Sequence, residues 1–314
     1  MSGFMDCCGQ TDIGRKRSTN EDQFLISDVC KSMRVHQTSL ALDHQTRLFG
    51  ETQGKLLVVA DGMGGHEAGE RASQLAIDGF VDYALNRLNW FMSEGCETED
   101  GFEEELKQAL ISCQQRIDRE VAAIPQRRGM GSTLTLAYIV WPKMFLVHVG
   151  DTRCYLLRDG HLQRLTRDHT LADLTESVSG GLAANRPSRG ERGPNKQPRP
   201  LANVLWNVIG GDQRVPHPDA SALELVIGDT LLLCSDGLSN QLEDDQIRDI
   251  LTSNLATAKQ CQRLVEAANS AGGTDNITVV LSRFLERGEQ SPKVEAIELP
   301  IDKRTADTVD FAPS

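Results

Sequence analysis

Basic residues are in short supply in this 314-residue chain: 33 Lys and Arg stand against 45 Asp and Glu, a formal net charge of -12. Such a balance excludes general affinity for nucleic acid or an anionic membrane surface. Aromatic residues are few at 5%, but the hydrophobic share is 39%, enough to offset ordering entropy over most of the length. No run approaches the roughly 20 apolar residues that cross a bilayer. Met1 to Gln10 has neither the basic nor the apolar region of a secretory leader, so the expected location is cytoplasmic, with no membrane partner. The eight cysteines include no CxxC pair, and Cys154 and Cys234 fall inside apolar runs, the usage of reduced, buried thiols in a reducing compartment. The vicinal pair Cys7 and Cys8 is expected to be exposed near the N-terminus.

Several catalytic signatures are missing as well. There is no GxSxG elbow and no GxxxxGK[ST] loop, which leaves acyl hydrolysis and P-loop nucleotide binding without support. His66-Glu67 opens like HExxH, but position 70 is Glu. Cys113 and Arg119 have the spacing of a cysteine phosphatase loop, yet CQQRIDR contains no glycine and lies on a helical face.

What is present alternates hairpins with amphipathic helices. Leu56 to Ala60 is a continuous apolar run stopped by Asp61-Gly62, which reads as a buried strand ending in a turn. Helical spacing follows from Glu67 to about Trp90 and again from Phe102 to Val121. Strands are predicted over Gln23 to Ser27, Thr133 to Trp141, Lys143 to Val149, Arg153 to Arg158, His161 to Leu165, Ala222 to Ile227, Thr230 to Cys234 and Asn276 to Phe284. Helices are predicted over Glu243 to Leu251 and Ala256 to Ala271. Short connections favour antiparallel pairing, so the pattern implies an α+β fold. Residues 1–285 read as one domain with a polar surface excursion at about 28–54, a flap at about 171–204 and a mostly disordered polar tail over 286–314.

Strand-like runs deliver an Asp at their ends three times: LLVVADGMGGH on Asp61, FLVHVGD on Asp151 and TLLLCSDG on Asp236. A fourth, Asp275, precedes the strand in GGTDNITVV. Each Asp-Gly alone is a turn signal. Together, carboxylates gathered at one sheet edge would repel one another unless cations neutralised them, and oxygen ligands of this kind suit Mg or Mn rather than zinc.

The ordered blocks GRKRSTNED (Gly14 to Asp22), VVADGMGGHEAGE (Val58 to Glu70), GMGSTLT (Gly129 to Thr135), VGDTRCYLLRDGHLQRLTRDHT (Val149 to Thr170), LLLCSDGL (Leu231 to Leu238) and GGTDNIT (Gly272 to Thr278) resemble the bacterial branch of the PP2C-type (PPM) metal-dependent protein phosphatases, from about Asp12 to Arg283. That resemblance implies a four-layer α-β-β-α sandwich, two antiparallel sheets flanked by helix pairs, with two or three Mn2+ or Mg2+ ions at one end. It implies that Asp61 bridges two ions with the Gly62 carbonyl as a further ligand, that Asp236 and Asp275 hold the first ion and Glu21 the second, that Asp22 acts through water, and that Asp151 with Asp236 forms a third position. Arg17 matches the phosphate-clamping arginine, a role suited to a guanidinium that donates two parallel hydrogen bonds. The implied activity is hydrolysis of phosphoserine and phosphothreonine in proteins by a metal-activated water, opposing a cognate Ser/Thr kinase, in a monomer.

Met63 occupies the place of the histidine proposed as general acid in the eukaryotic branch. His66 is one substitute, an activated water another; His66 could equally cap the helix that follows. A rival from a different class is a catalytically inactive PP2C-like domain that binds phosphoproteins and regulates a partner, but such domains lose acidic ligands that are all present here. The flap carries Arg186, Arg189, Arg192 and Lys196, which could engage acidic or multiply phosphorylated substrates or form a passive solvated loop.

Overall fold

Apolar runs that are continuous, rather than alternating, need cover on both faces of a sheet, and both sheets of this protein receive it. The computed structural model describes residues 4–37, 47–64, 67–87, 99–179, 201, 204–211 and 215–286. In chain order the strands are β1 (Phe4–Asp12), β2 (Asp22–Arg34), β3 (Arg47–Met63), β4 (Gly131–Ser132), β5 (Leu134–Val140), β6 (Lys143–Val149), β7 (Arg153–Arg158), β8 (His161–Arg164), β9 (Ile209–Gly210), β10 (Asp219–Glu224), β11 (Thr230–Cys234) and β12 (Ile277–Leu285). The helices are α1 (Glu67–Arg87), α2 (Glu99–Ala123), α3 (Leu171–Ser179), α4 (Asp236–Ser239), α5 (Asp244–Leu251) and α6 (Thr257–Ser270).

One sheet has the order β1-β12-β11-β7-β8; the other runs β10-β6-β5-β3-β4-β9, with β2 also paired to β3. Successive side chains of a strand face opposite sides, and the layers follow from that alternation. Leu56, Val58 and Ala60 of β3 pack under Ala72, Ala76 and Phe80 of α1 and Leu106, Leu110 and Cys113 of α2, whereas Leu57 and Val59 face the other sheet. In β11, Leu231 and Leu233 join that inter-sheet core and Leu232 and Cys234 turn to Ile247 of α5 and Leu264 of α6. Each fully buried Leu, Val, Ile or Phe among them contributes roughly 1.5–3 kcal/mol. The result is the expected α-β-β-α sandwich.

The structure corrects one sequence expectation, the exposure of Cys7 and Cys8, and adds secondary structure where none was predicted. Phe4–Asp12, over which the sequence predicts no strand, is a strand in full register with β12, Phe4 opposite Leu285 and Asp12 opposite Ile277. Cys7 and Cys8 are accordingly half-buried rather than exposed; the Cys7 thiol meets Ser282 Oγ at 3.2 Å and the Cys8 carbonyl accepts from Cys261 Sγ at 3.4 Å. The predicted excursion at 28–54 is largely a β-ribbon: β2 and β3 stay paired out to Arg34 opposite Arg47, with a register shift between Cys30 and Ser32. Edge ribbons with solvent on both sides carry no hydrophobic period, which is why the polar sequence concealed them. Leu171–Ser179, placed in the flap, is helical.

Register also decides where the acids go. Asp22 starts β2 opposite Asp61 near the end of β3, and Cys234 at the end of β11 lies opposite both Val279 near the start of β12 and Arg153 at the start of β7. The turn Gly150-Asp151-Thr152 carries the chain from β6 of one sheet to β7 of the other at this same end. Antiparallel pairing therefore collects strand ends from distant parts of the sequence at one edge of the sandwich.

Candidate metal centre

Asp61 is held through its backbone. Its N–H donates to Thr133 Oγ1 at 2.9 Å, and its carbonyl accepts from Thr133 N–H at 2.9 Å and Ser132 Oγ at 3.1 Å. Glu21 is held likewise: its N–H donates to Asn276 Oδ1 at 2.8 Å, and its carbonyl receives Ser73 Oγ at 2.6 Å and Gly62 N–H at 3.2 Å. Asn276 also donates to the carbonyls of Ile13 and Thr19, pinning the loop that carries Arg17. Asp275 and Asp236 flank Asn276 and Ser235, and Asp22 Oδ2 accepts from Ser235 Oγ at 2.7 Å.

Burial and mutual repulsion perturb these carboxylates. Desolvation first, then the charges of Asp236 and Asp275, push Asp22 up to about 7 against the hydrogen bonds from Ser235 and Thr278. Burial, followed by Asp275, raises Asp236 to about 6, while Arg153 and Arg17 pull the other way. Asp61 is raised well above the ordinary carboxylate range by burial and by Asp22, Asp236, Asp151 and Asp275; Asp151 is raised by burial and Asp236. Asp22 Oδ1 and Asp236 Oδ1 are buried without any hydrogen-bond partner. Charged oxygens without donors, in a group that opposes its own ionisation, are satisfied by cations.

A second observation agrees. A Cβ on Gly69, near the start of α1, would collide with Glu21 Oε2 and lie 3.1 Å from the Gly62 carbonyl oxygen, so these two oxygens converge over a glycine that leaves room for them. Among the described residues, no three carboxylate, imidazole or thiol groups close around one point as a ready-made metal cage.

The structure thus brings together Arg17, Glu21, Asp22, Asp61, Gly62, Asp151, Asp236 and Asp275. Arg17 donates from Nη2 to Asp275 Oδ2 at 2.7 Å, with half of its side chain exposed. His66 lies outside the described residues, as do Arg186, Arg189, Arg192 and Lys196. Sequence reasoning missed the supporting groups Asn276, Ser235, Thr133, Ser73 and Gly69. The first two adjoin predicted ligands in TDN and CSD, which was the available signal.

The family model described as protein phosphatase 2C matches residues 36–282. The chain belongs to the protein phosphatase 2C family. It is 33% identical over 275 residues to protein phosphatase PhpP of Streptococcus pneumoniae, covering 86% of this chain and 94% of that protein. It is also 33% identical over 231 residues to the serine/threonine phosphatase stp of Listeria welshimeri, covering 72% and 83%. The phosphatase superposes on the crystal structure of Mycobacterium tuberculosis serine/threonine phosphatase PstP/Ppp with a TM-score of 0.67 at 30% identity, covering 90% of this chain and 99% of that one. A structure of the PstP catalytic domain in complex with two manganese ions gives a TM-score of 0.66 at 30% identity, covering 91% and 100%.

Proposed function

We propose that the carboxylates at the common end of the two sheets are the catalytic centre of this phosphatase, with Asp61 shared between two ions, Asp236 and Asp275 serving one, Glu21 and the Gly62 carbonyl the other, and Asp151 with Asp236 a third. The chain is a metal-dependent protein serine/threonine phosphatase, with Mn2+ or Mg2+ as its cofactors and phosphorylated proteins as its substrates. Bound here, the ions supply Lewis-acid charge and activate water for attack on phosphorus, so that no covalent phosphoenzyme is needed.

The protein's own groups set the stage for that chemistry. Thr133 and Ser132 fix the Asp61 backbone, and Asn276 fixes Glu21 and the Arg17 loop. Arg17 is half-exposed and engages Asp275; its guanidinium would grip the phosphoryl oxygens of a substrate as a two-pronged donor. Asp22, buried and receiving Ser235, acts on water bound at the site.

The observation that carries this reading is the pair of donorless buried oxygens on Asp22 and Asp236 amid five mutually opposing acids. Every predicted ligand position is acidic or a backbone carbonyl, which disfavours an inactive regulatory domain. We further propose that the enzyme opposes a cognate Ser/Thr kinase and acts as a cytoplasmic monomer. No helix among the described residues is long and apolar enough to cross a membrane. The test is hydrolysis of a phosphothreonine peptide with Mn2+. Asp61→Asn and EDTA should each lower turnover by three orders of magnitude or more, EDTA reversibly; turnover surviving both would overturn the assignment.

A further inference from the structure

Asp168 and His169 stand outside the carboxylate cluster, yet they grip Gly150, just before Asp151, and Arg153, two residues after it. The His169 N–H donates to the Gly150 carbonyl at 2.7 Å, and the Gly150 N–H donates back to His169 Nδ1 at 3.2 Å. On the other side, Asp168 receives Arg153 in a two-pronged pair, Nε to Oδ1 at 2.9 Å and Nη2 to Oδ2 at 2.6 Å, with both side chains buried. Gly150 itself has a φ of +108°, and a Cβ there would strike Thr133, the residue that fixes Asp61.

The state of the His169 ring follows from its neighbours. Asn207 is oriented by His217, its Oδ1 accepting from the His217 N–H at 2.9 Å and its Nδ2 donating to the His217 carbonyl at 2.7 Å. The same Nδ2 donates to His169 Nδ1 at 2.8 Å. With two donors facing it, Nδ1 carries the lone pair, and the ring proton sits on Nε2, 3.0 Å from Asp219 Oδ2. The opposite tautomer would place a third N–H against Gly150 and Asn207, forcing the turn to move. The ring is further confined between His148 and Trp206, with centroids 4.8 and 5.1 Å away. A continuous chain thus runs from the exposed Asp219 through His169 and Gly150 to Asp151.

We propose that His169 is a positioning residue which, kept in one tautomer by Asp219 and Asn207, fixes the Gly150-Asp151 turn and so sets the affinity of the ion held at Asp151; this rests on the reading of Asp151 as a metal ligand. Groups that orient a ligand without touching the ion typically change metal affinity 10–100-fold. Pairing Arg153 with Asp168 serves the same end, since it balances a cation two residues from Asp151.

The test is calorimetric titration of the full chain with Mn2+, beside melting temperature in EDTA. Asp219→Ala, at an exposed side chain that leaves the core intact, and His169→Gln, which reaches Asp219 but withdraws the acceptor from Gly150, should each weaken about tenfold the Mn2+ binding event that Asp151→Ala also weakens, and leave the other events in place. His169→Asn, whose Oδ1 can stand in for Nδ1, should recover part of the loss. In an Asp151→Ala background, neither Asp219→Ala nor His169→Gln should weaken binding further. Unchanged Mn2+ binding in Asp219→Ala, or losses that persist in full when Asp151 is absent, would overturn the proposal and leave His169 a structural residue only. Should Asp151→Ala alone leave every Mn2+ event unaltered, the ligand assignment of Asp151 fails first, and the positioning role falls with it.

Discussion

Replacing Asp22 by Asn should make the metal-free protein more stable and the metal-loaded one less so. Asp22 is 2% exposed, its Oδ1 has no donor, and its folded-state pKa is pushed from 3.8 to about 7. For an acid raised on folding, the protonated form is the one the fold prefers. The penalty is absent below the unfolded value, grows between pH 4 and 7, and is complete above 7. About three pH units at 1.36 kcal/mol each set a ceiling of about 4 kcal/mol at pH 8, and about half of that at pH 5.5. Because Asp236 and Asp275 share the repulsion, removing one charge recovers less, about 2 kcal/mol at pH 8. Asn keeps an acceptor for Ser235 Oγ and presents an N–H where Oδ1 is orphaned. Urea unfolding in EDTA should therefore show Asp22→Asn more stable than wild type by about 2 kcal/mol at pH 8, with a smaller gain at pH 5.5. Saturating Mn2+ should reverse the order, since ions that bind only the folded state stabilise in proportion to their affinity. A variant less stable than wild type in EDTA at pH 8, or a difference between the two proteins that does not vary with pH, would refute the reasoning.

Arg17→Ala removes a phosphate donor while leaving the acids in place, so steady-state kinetics should show a KM for phosphopeptide raised about tenfold or more, with the Mn2+ requirement unchanged. Gly69→Ala gains up to about 1 kcal/mol in helix propensity but drives its methyl into Glu21, so Mn2+ affinity by calorimetry should fall about tenfold even where the melting temperature holds. Exchanging Arg186, Arg189, Arg192 and Lys196 for Gln should lower kcat/KM on a phosphoprotein in a salt-dependent way and spare an aryl phosphate, because exposed charges are screened over about 8–10 Å at physiological ionic strength.

The layers were legible because strands buried on both faces read as unbroken apolar runs, as in Leu56 to Ala60 and Leu231 to Cys234. The acids were legible because each ends or precedes such a run. What escaped were features whose residues have no hydrophobic signature of their own. Phe4–Asp12 becomes a strand only because β12 offers it an edge, and the outer β2–β3 ribbon is held by register to β3 rather than by a core. Thr133 was invisible for a related reason: a side chain that works by hydrogen-bonding backbone 72 residues away leaves no local pattern.

The pairing of β1 with β12 also has a consequence for synthesis on the ribosome. Of the described strands β1 is translated before the others; it has one neighbour in its sheet, β12, which ends at Leu285. Glu21 and Asn276 are joined across 255 positions, so neither sheet edge nor site can close until nearly the whole described chain has been translated. Nascent chains therefore expose Phe4–Asp12 as an unpaired, hydrogen-bonding edge through most of elongation, a window in which a chaperone has something to hold. The same delay keeps a half-made phosphatase from acting on the phosphoproteins around it.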